Sequence, residues 1–482
     1  MGVSSQIIVP FVGMSFDNSK AVQGPAVLPV QAALVGQKIT AGTATAGVAY
    51  LVTSADQVRT LAGIGSHLHR LAIKWFGSNK FTPTYIVALA DATGSAAGTY
   101  SIPITGTATA AGELPLYIDG VRFSASVAAA DTAAVVAQRI ADAITADTTM
   151  AVTAVNTTGT IVLTAKNKGV TAGDVGVSVC FYPGESVPAG LTVGATVTTP
   201  GTGEPDVTSA LSAFGDLWFN LIVSTYSDDT NLAKVEKYLE DNAAAEIMHD
   251  GVYYIAKKDT LTNLVTFGTN TSRNCPWVVC IGGTGTPESV ANIAAAYAAA
   301  VAASISDDPA KPLHRMVLDL IPAQPSNRFT MSERNQLAKN GIATLRHDNG
   351  VQTDATVTMY LRNIAGAADT SYQYQNDMFN LMNLRYTFVN RILSRYGRSK
   401  LAASADRVEA GEEIITPDIG RAEAISWFLD MEAKGQVQNL KQFKSDLVCR
   451  ISTTVRNRLE WLLPPTLMGQ FIVGSADLQF RV

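Results

Sequence analysis

Apolar residues follow two different spacings along this chain, and each spacing predicts a different element. A continuous apolar run predicts a strand from Thr84 to Asp91. Before it, Leu71 and Trp75 recur at helical spacing behind Ser66, a favourable helix N-cap. From residue 205 onward, apolar segments such as PWVVCIGG alternate with helical segments such as PESVANIAAAYAAAVAASI. This alternation predicts a parallel or mixed sheet with helices on its faces.

The composition changes sharply between about residues 93 and 199. This stretch is rich in Gly, Thr, Ala and Val, and it contains short strand patterns around one helical segment that we expect Asp131 to cap. We interpret it as a compact β-rich domain inserted into the chain. The segments at its two ends, ALAD and TTPGTGEPDV, are typical of flexible exits that lie close together.

The whole pattern predicts a multi-domain protein of mixed α/β and α+β class. Helical segments dominate after residue 325, and a β-prone stretch follows them. We divide the chain into an N-terminal extended arm (1–25), the first part of a core (26–92), the inserted β-rich domain (93–199), the second, α/β part of the core (200–324), a C-terminal domain (325–468) and a C-terminal arm strand (469–482).

The last residues have a strand pattern that runs to the end of the chain. Leu478, Phe480 and Val482 alternate with Gln479 and Arg481, so one face of the strand is apolar. A strand this short does not stand alone, and it needs a half-buried slot in a sheet. Two slots remain open at this point: a hairpin of QFIV with LQFRV in the same chain, or a sheet of another molecule.

The first residues indicate a second extended arm. Ile7, Ile8 and Val9 are apolar, and Pro10 and Gly13 interrupt any helix there. The first basic residue is at position 20, so the segment does not have the pattern of a signal peptide.

Composition excludes several classes of protein. The formal net charge is −5, which speaks against a general nucleic-acid role because that role needs a basic face. The four cysteines match neither a zinc cluster nor a disulfide framework. The longest apolar run, from Ile293, is too short and too alanine-rich to span a bilayer, so we expect no membrane insertion.

The sequence contains no convincing catalytic, cofactor-binding or metal-binding constellation. The most ligand-like stretch is the turn Gly282–Thr286, but it lacks the P-loop lysine and the dinucleotide-binding glycine spacing. His67 and His69 are expected to be exposed helix residues that point apart. The acidic pair at residues 228 and 229 is explained by helix capping. An α/β enzyme or binding protein with a phosphate-type ligand at Gly282–Thr286 remains the alternative.

A basic span near the C-terminus stands out in an acidic chain. Between Lys434 and Arg458 there are six basic residues and one acid, Asp446, a net charge of +5. This span is either a solvated face or a docking surface for an acidic protein partner.

The order of several segments resembles the contractile tail sheath proteins of myophages, in the Mu-like branch. The resemblance lies in VPFVGMSFDNSKAVQGPAVLPVQAALVGQK, GIGSHLHRL, YQYQNDMFNLMNLRYTFVNRILSRYGRSKLA, TPDIGRAEAISWFLDMEAKGQVQNLKQFKSDL and NRLEWLLPPTLMGQFIVGSADLQFRV. The insert is similar to the protruding β domain of that branch. The resemblance thus covers nearly the whole chain.

The resemblance implies a non-enzymatic subunit without cofactors that polymerises as hexameric rings in a helical sheath around a tail tube. It implies tail tube, baseplate and tail terminator proteins as partners, no direct contact with nucleic acid, and a place in the virion after assembly in the host cytoplasm. The C-terminal domain would face the tube, with Lys441, Lys444 and Arg456 as candidate contacts. Both arms would pair with neighbouring subunits.

One consequence of the resemblance concerns movable parts. Pro10 and Gly13 in the first arm, and Gly469 and Gly474 before the last strand, are expected hinges. The abrupt composition change and the Gly-, Pro- or Thr-rich junctions of the insert further predict that it is dispensable, so that joining Asp91 to Gly203 leaves a core that polymerises. A secreted adhesin is a rival interpretation suggested by the Thr/Gly/Val-rich insert. The first residues do not have the signal-peptide pattern that it would need. A phage-derived bacteriocin or injection device stays open.

Overall fold

A computed structural model describes residues 28–404 and 413–481. The chain forms two compact units. Of the described residues, the larger unit comprises Pro29–Met382 and residues 467–481, and the smaller unit comprises Leu28 and residues 383–404 and 413–466.

The helices and strands fall into four groups along the chain. Before the insert lie β1 (Ala32–Gln37), β2 (Ala49–Val52), α1 (Ala55–Ala62), α2 (His67–Ser78) and β3 (Thr84–Leu89). Within the insert lie β4 (Ala97–Gly106), β5 (Gly112–Ile118), β6 (Val121–Val127), α3 (Ala133–Ala146), β7 (Val152–Thr157), β8 (Thr160–Lys168), β9 (Val177–Val179), β10 (Leu191–Val193) and β11 (Val197–Thr199). After the insert lie α4 (Thr208–Ala213), β12 (Leu221–Val223), α5 (Asp229–Asn242), β13 (Val252–Lys258), α6 (Leu261–Thr269), β14 (Val278–Gly283), α7 (Val290–Asp307), β15 (Val317–Leu318), α8 (Met331–Lys339), β16 (Ile342–Ala343), β17 (Leu345–Arg346) and β18 (Val351–Thr353). The last elements are α9 (Gln375–Tyr396), β19 (Lys400–Leu401), β20 (Ile414–Ile415), α10 (Pro417–Ala433), β21 (Val437–Gln438), α11 (Leu440–Asp446), β22 (Val448–Ile451), β23 (Leu459–Leu462) and β24 (Thr466–Leu467).

A seven-stranded sheet forms the centre of the larger unit, in the order β16-β14-β13-β12-β1-β3-β2. All neighbours are parallel except β2, which runs antiparallel to β3. Strands such as β14, whose residues are all buried, have continuous apolar sequences because helices cover both faces of a parallel sheet. The mixed α/β class predicted from the sequence is confirmed.

Helix α7 is a core helix of the larger unit. It begins after Ser289, whose side chain accepts a hydrogen bond from the Asn292 backbone N–H, and it packs against α2 and β13. By length and composition alone α7 is apolar enough to cross a membrane, but 72% of this segment is buried inside the fold. Its alanines allow this close approach, since small side chains let neighbouring backbones come near.

The insert contains its own apolar core. One sheet has the order β10-β4-β8-β7, with β11 also paired to β4, and a second sheet has the order β6-β5-β9. Buried residues such as Ile102, Leu116, Ile140 and Leu163 pack together there with α3. The two ends of the insert lie side by side, as expected, because Ala96 and Thr202 exchange two backbone hydrogen bonds of 3.1 Å.

The predicted N-cap of the helix in the insert is wrong. Thr132, not Asp131, occupies the cap position of α3, and its side chain makes no capping hydrogen bond. The Asp131 carboxylate instead accepts a hydrogen bond from the Ala128 backbone N–H at 2.6 Å and pairs with Arg139 at 2.5 Å. The sequence prediction considered only the residues at the helix start. It did not foresee that Arg139, further along α3, pairs with Asp131.

In the smaller unit, helix α10 packs through an aromatic cluster. Thr416 caps α10 and Pro417 opens it, as predicted from the sequence. The ring of Phe428 stacks on Phe443 with centroids 4.3 Å apart, and the Trp427 indole N–H donates to the Thr387 hydroxyl at 3.0 Å. Beside this cluster, β22 and β23 form an antiparallel two-stranded sheet.

Candidate assembly surfaces

The central sheet has a place where α/β proteins commonly bind ligands, and the insert fills it. From β1 the chain adds strands towards one edge of the sheet, and from β12 it adds strands towards the other edge. The direction of strand addition therefore reverses between β1 and β12. Gln37, at the end of β1, is buried and donates 2.6 Å and 2.7 Å hydrogen bonds to the Lys168 carbonyl and the Asp91 carboxylate. The His67 backbone N–H donates to the Asn167 side-chain oxygen at 2.8 Å. Residues of the insert thus occupy the crevice.

The N-terminus of α7 is filled in the same way. A phosphate at the turn Gly282–Thr286 would use the free backbone N–H groups of this helix. The Ser289 backbone N–H already donates to the Asp119 carboxylate of the insert at 3.0 Å, and the Asn292 side chain donates to the same oxygen at 2.7 Å. The cavity beside the turn measures about 10 Å³, roughly the volume of one water-sized sphere. The geometry of this turn therefore speaks against a phosphate-type ligand.

His67 and His69 are buried, so the expectation that they are exposed is wrong. Helix α2 packs against β1, α1 and α7 and meets residues of the insert, and these contacts cover both imidazole rings. The His67 Nδ1 atom accepts from the Gln37 backbone N–H at 3.3 Å, and its Nε2 atom lies 3.1 Å from the Thr225 hydroxyl. Among the described residues, no group of three or more His, Cys, Asp or Glu side chains is placed to hold a metal ion.

Burial of these imidazoles makes the stability of the chain sensitive to acid. Burial lowers the pKa of His67 and of His69 from 6.5 to about 4. The unfolded chain therefore binds more protons between these values, so stability falls as the pH falls through that window. We expect each histidine to lower the free energy of unfolding by about 2 kcal/mol at pH 5 relative to pH 7.5.

The His67→Gln variant tests this expectation. Its urea midpoint should change less between pH 7.5 and pH 5 than that of the unmodified chain, because one buried titrating group is gone. Thr225→Val removes the contact to the ring but keeps the ring, and it should preserve the original pH dependence. An unchanged pH dependence in His67→Gln contradicts the assignment.

The C-terminal arm exposes its apolar side chains. Leu478 and Phe480 are 90% and 78% exposed, and the described residues after 467 form no strand. The alternative hairpin of QFIV with LQFRV is not formed in the described part of these segments. The structure adds an apolar group that the sequence analysis missed, since Phe471 and Val473 are also exposed.

The remaining arm residues are located as follows. The predicted linkage residues and hinges Ile7, Ile8, Val9, Pro10, Gly13 and Val482 lie outside the described residues. Gly469 and Gly474 lie in the exposed C-terminal segment, and neither has a positive φ. Their role as hinges stays a prediction.

The basic span is exposed on the smaller unit, and part of it is neutralised. Arg450 and Arg458 lie 3.1 Å and 3.5 Å from the Glu460 carboxylate, an acid just beyond the span that was not counted. Lys441, Lys444 and Arg456 are exposed, and none of the ion pairs of the described residues includes them. Together with Lys434, which is also exposed, these three residues carry the excess positive charge.

Comparison with known proteins identifies the family. A family model described as phage tail sheath protein central domain matches residues 201–359. A curated relative, the Mu-like prophage FluMu tail sheath protein of Haemophilus influenzae, is 33% identical over 480 residues, covering 99% of this chain and 98% of the relative. The chain belongs to the phage tail sheath protein family. This is the family that the resemblance implied.

Solved tail sheath structures are similar at lower sequence identity. The sheath tail protein from Desulfitobacterium hafniense is 11% identical with a TM-score of 0.47, covering 95% of this chain and 100% of that chain. The sheath of the PVC extracellular contractile injection system in its contracted state is 10% identical with a TM-score of 0.49, covering 99% of each chain.

Proposed function

We propose that this sheath protein polymerises as stacked hexameric rings around a tail tube and contracts to drive the tube through a bacterial envelope. The observation that carries the proposal is the C-terminal arm, an extended segment whose apolar side chains have no cover within the described chain. Exposed apolar segments of this kind mark sites of association. Full-length similarity to a phage tail sheath protein supports the same function.

The arms would link subunits by adding strands to a neighbour's sheet. The β22–β23 pair is a suitable acceptor, because a two-stranded sheet is marginal alone and the described residues add no further strand to it. Val448 and Leu462, which lie opposite each other in this pair, are both exposed. An arm with the alternation of Leu478, Phe480 and Val482 would cover such apolar side chains while its backbone pairs with a free edge.

The basic residues of the smaller unit would face the tube. Lys441, Lys444 and Arg456 project from the unit without acidic partners among the ion pairs of the described residues. An acidic tube surface would complement them. The other proposed partners are the baseplate and tail terminator proteins, with assembly in the host cytoplasm before incorporation in the virion.

Negative-stain electron microscopy of the purified protein tests the function. Long hollow cylinders with sixfold end views support the proposal. Monodisperse monomers at all concentrations and salt conditions, with or without tubes, contradict it.

Charge reversal tests the proposed tube contact. Changing Lys441, Lys444 and Arg456 to Glu should weaken assembly on purified tubes at least tenfold at low salt, because attraction becomes repulsion. The matched control changes Lys80, Lys339 and Arg362 to Glu, which alters net charge equally. These three residues are exposed and belong to none of the ion pairs of the described residues. Normal sheathing of tubes by the first triple variant at low salt means that the span is merely solvated.

A further inference from the structure

The contacts between the insert and the central sheet point to a fixed joint rather than a hinge. The first contact is the turn between β5 and β6. Asp119 lies at its tip with a φ of 50°, and its carboxylate pairs with the buried Arg70 guanidinium of α2. Arg70 and Asn292 also donate to the Asp119 carbonyl at 3.1 Å and 3.2 Å. One residue of the insert thus satisfies donors from two helices of the core.

The second contact is the end of β8, on another strand of the insert. The Asn167 amide group donates to the Lys38 carbonyl and to the Asp91 carboxylate, both at 2.9 Å. Its oxygen accepts the His67 backbone N–H. Asn167 is buried, so a small displacement of the insert would break these hydrogen bonds before water could replace them.

The shape of the joint is as specific as its hydrogen bonds. A Cβ atom added to Gly120 would lie 2.7 Å from the Glu288 carboxylate, and one added to Gly176 would lie 2.1 Å from the Pro287 carbonyl. Gly120 also has a φ of 81°. The backbone of the insert therefore approaches the start of α7 as closely as glycine permits.

We propose that the insert and the central sheet form one rigid body, with Asp119 and Asn167 as the positioning residues. Two separate contacts, one in the β5–β6 turn and one at the end of β8, prevent rotation about either one. Any rearrangement of the subunit would then carry the insert together with the core. The proposal concerns the single chain, and it holds whether or not the chain assembles as proposed above.

Hydrogen exchange at the joint tests the proposal in the full-length protein. In the unmodified chain, the backbone amides of His67 and Ser289 should exchange as slowly as those of the neighbouring core strands. Gly120→Ala should accelerate exchange around Ser289 about tenfold or more, and Asn167→Ala should do the same around His67. Strands β4 and β8 within the insert should keep their protection, since their own core is untouched.

Two control variants separate the joint from general strain. Gly184→Ala has the same backbone problem, with a φ of 91°, but no atom lies within 4 Å of its added Cβ. Asn156→Ala removes hydrogen bonds that stay inside the insert, to the Ala134 carbonyl and from the Gly159 backbone N–H. Both should leave exchange at the joint unchanged.

Two results would overturn the rigid joint. One is fast exchange of His67 and Ser289 in the unmodified chain while the flanking strands stay protected, which indicates a hinge that opens. The other is acceleration at the joint in the control variants as large as in the test variants. If Gly120→Ala or Asn167→Ala fails to fold, the exchange pattern of the unmodified chain decides the question alone.

Discussion

Removing residues 475–482 is expected to leave a folded, soluble monomer that forms no cylinders. The side chains of Leu478 and Phe480 are 90% and 78% exposed, so their loss removes little packing against the described residues. In a neighbour's sheet, burial of Leu, Phe and Val side chains contributes about 1.5–3 kcal/mol each. Repeated at every subunit contact, this is enough to decide between monomer and polymer. The thermal transition should therefore stay nearly unchanged while sedimentation and electron microscopy show no assembly.

A pair of double variants locates the effect on one face of the arm. Leu478→Ser with Phe480→Ser removes the apolar face and should prevent assembly. Gln479→Ser with Arg481→Ser changes the same number of side chains on the polar face and should preserve it. Cylinders of normal length from the truncated chain would contradict the linkage by this arm. A strongly lowered thermal transition would instead indicate that the arm packs on its own subunit.

Local signals made much of the fold predictable. The strand from Thr84 to Leu89 and the caps Ser66 and Thr416 were recognised because a strand pattern or a cap lies within a few neighbouring residues. The order of the sheet strands was not predictable, although the alternation of strands and helices indicated its class. Parallel pairing joins residues far apart, such as Ala32 and Leu221.

The sequence misled where distant residues decide the environment. His67 and His69 have the spacing of exposed helix residues, but α2 is enclosed by the core and the insert. Asp119 was not noticed because an Asp-Gly pair predicts a hairpin turn, and nothing nearby shows that Arg70 and α7 receive it. The assembly surfaces were easier to propose, because the alternation of apolar and polar residues at the end of the chain lies within a few neighbouring positions.

The second large effect that we expect is a contrast between one substitution in the insert and removal of the whole insert. Asp119→Asn keeps a residue that tolerates a positive φ but removes the charge that pairs with Arg70. Arg70 then stays buried without a counter-charge, and breaking such a pair costs about 3–5 kcal/mol. The urea concentration at which the core unfolds should fall accordingly. Hydrogen exchange of the backbone amides in β13 and β14 measures this midpoint. Adding Arg70→Met should recover part of the loss, because the uncompensated charge is gone.

Deleting the insert, with a short linker that joins Asp91 to Gly203 in place of residues 92–202, should cost the core less than the single substitution. The joint is largely polar, so its groups on the core side gain water when the insert is absent instead of remaining buried and unpaired. The buried apolar cluster of the insert lies within residues 100–191, and the cluster around β12–β14 contains no residue of that range. The core should therefore fold and polymerise without the insert. An insoluble deletion chain, or a core less stable than that of Asp119→Asn, would show instead that the insert supports the fold of the sheet.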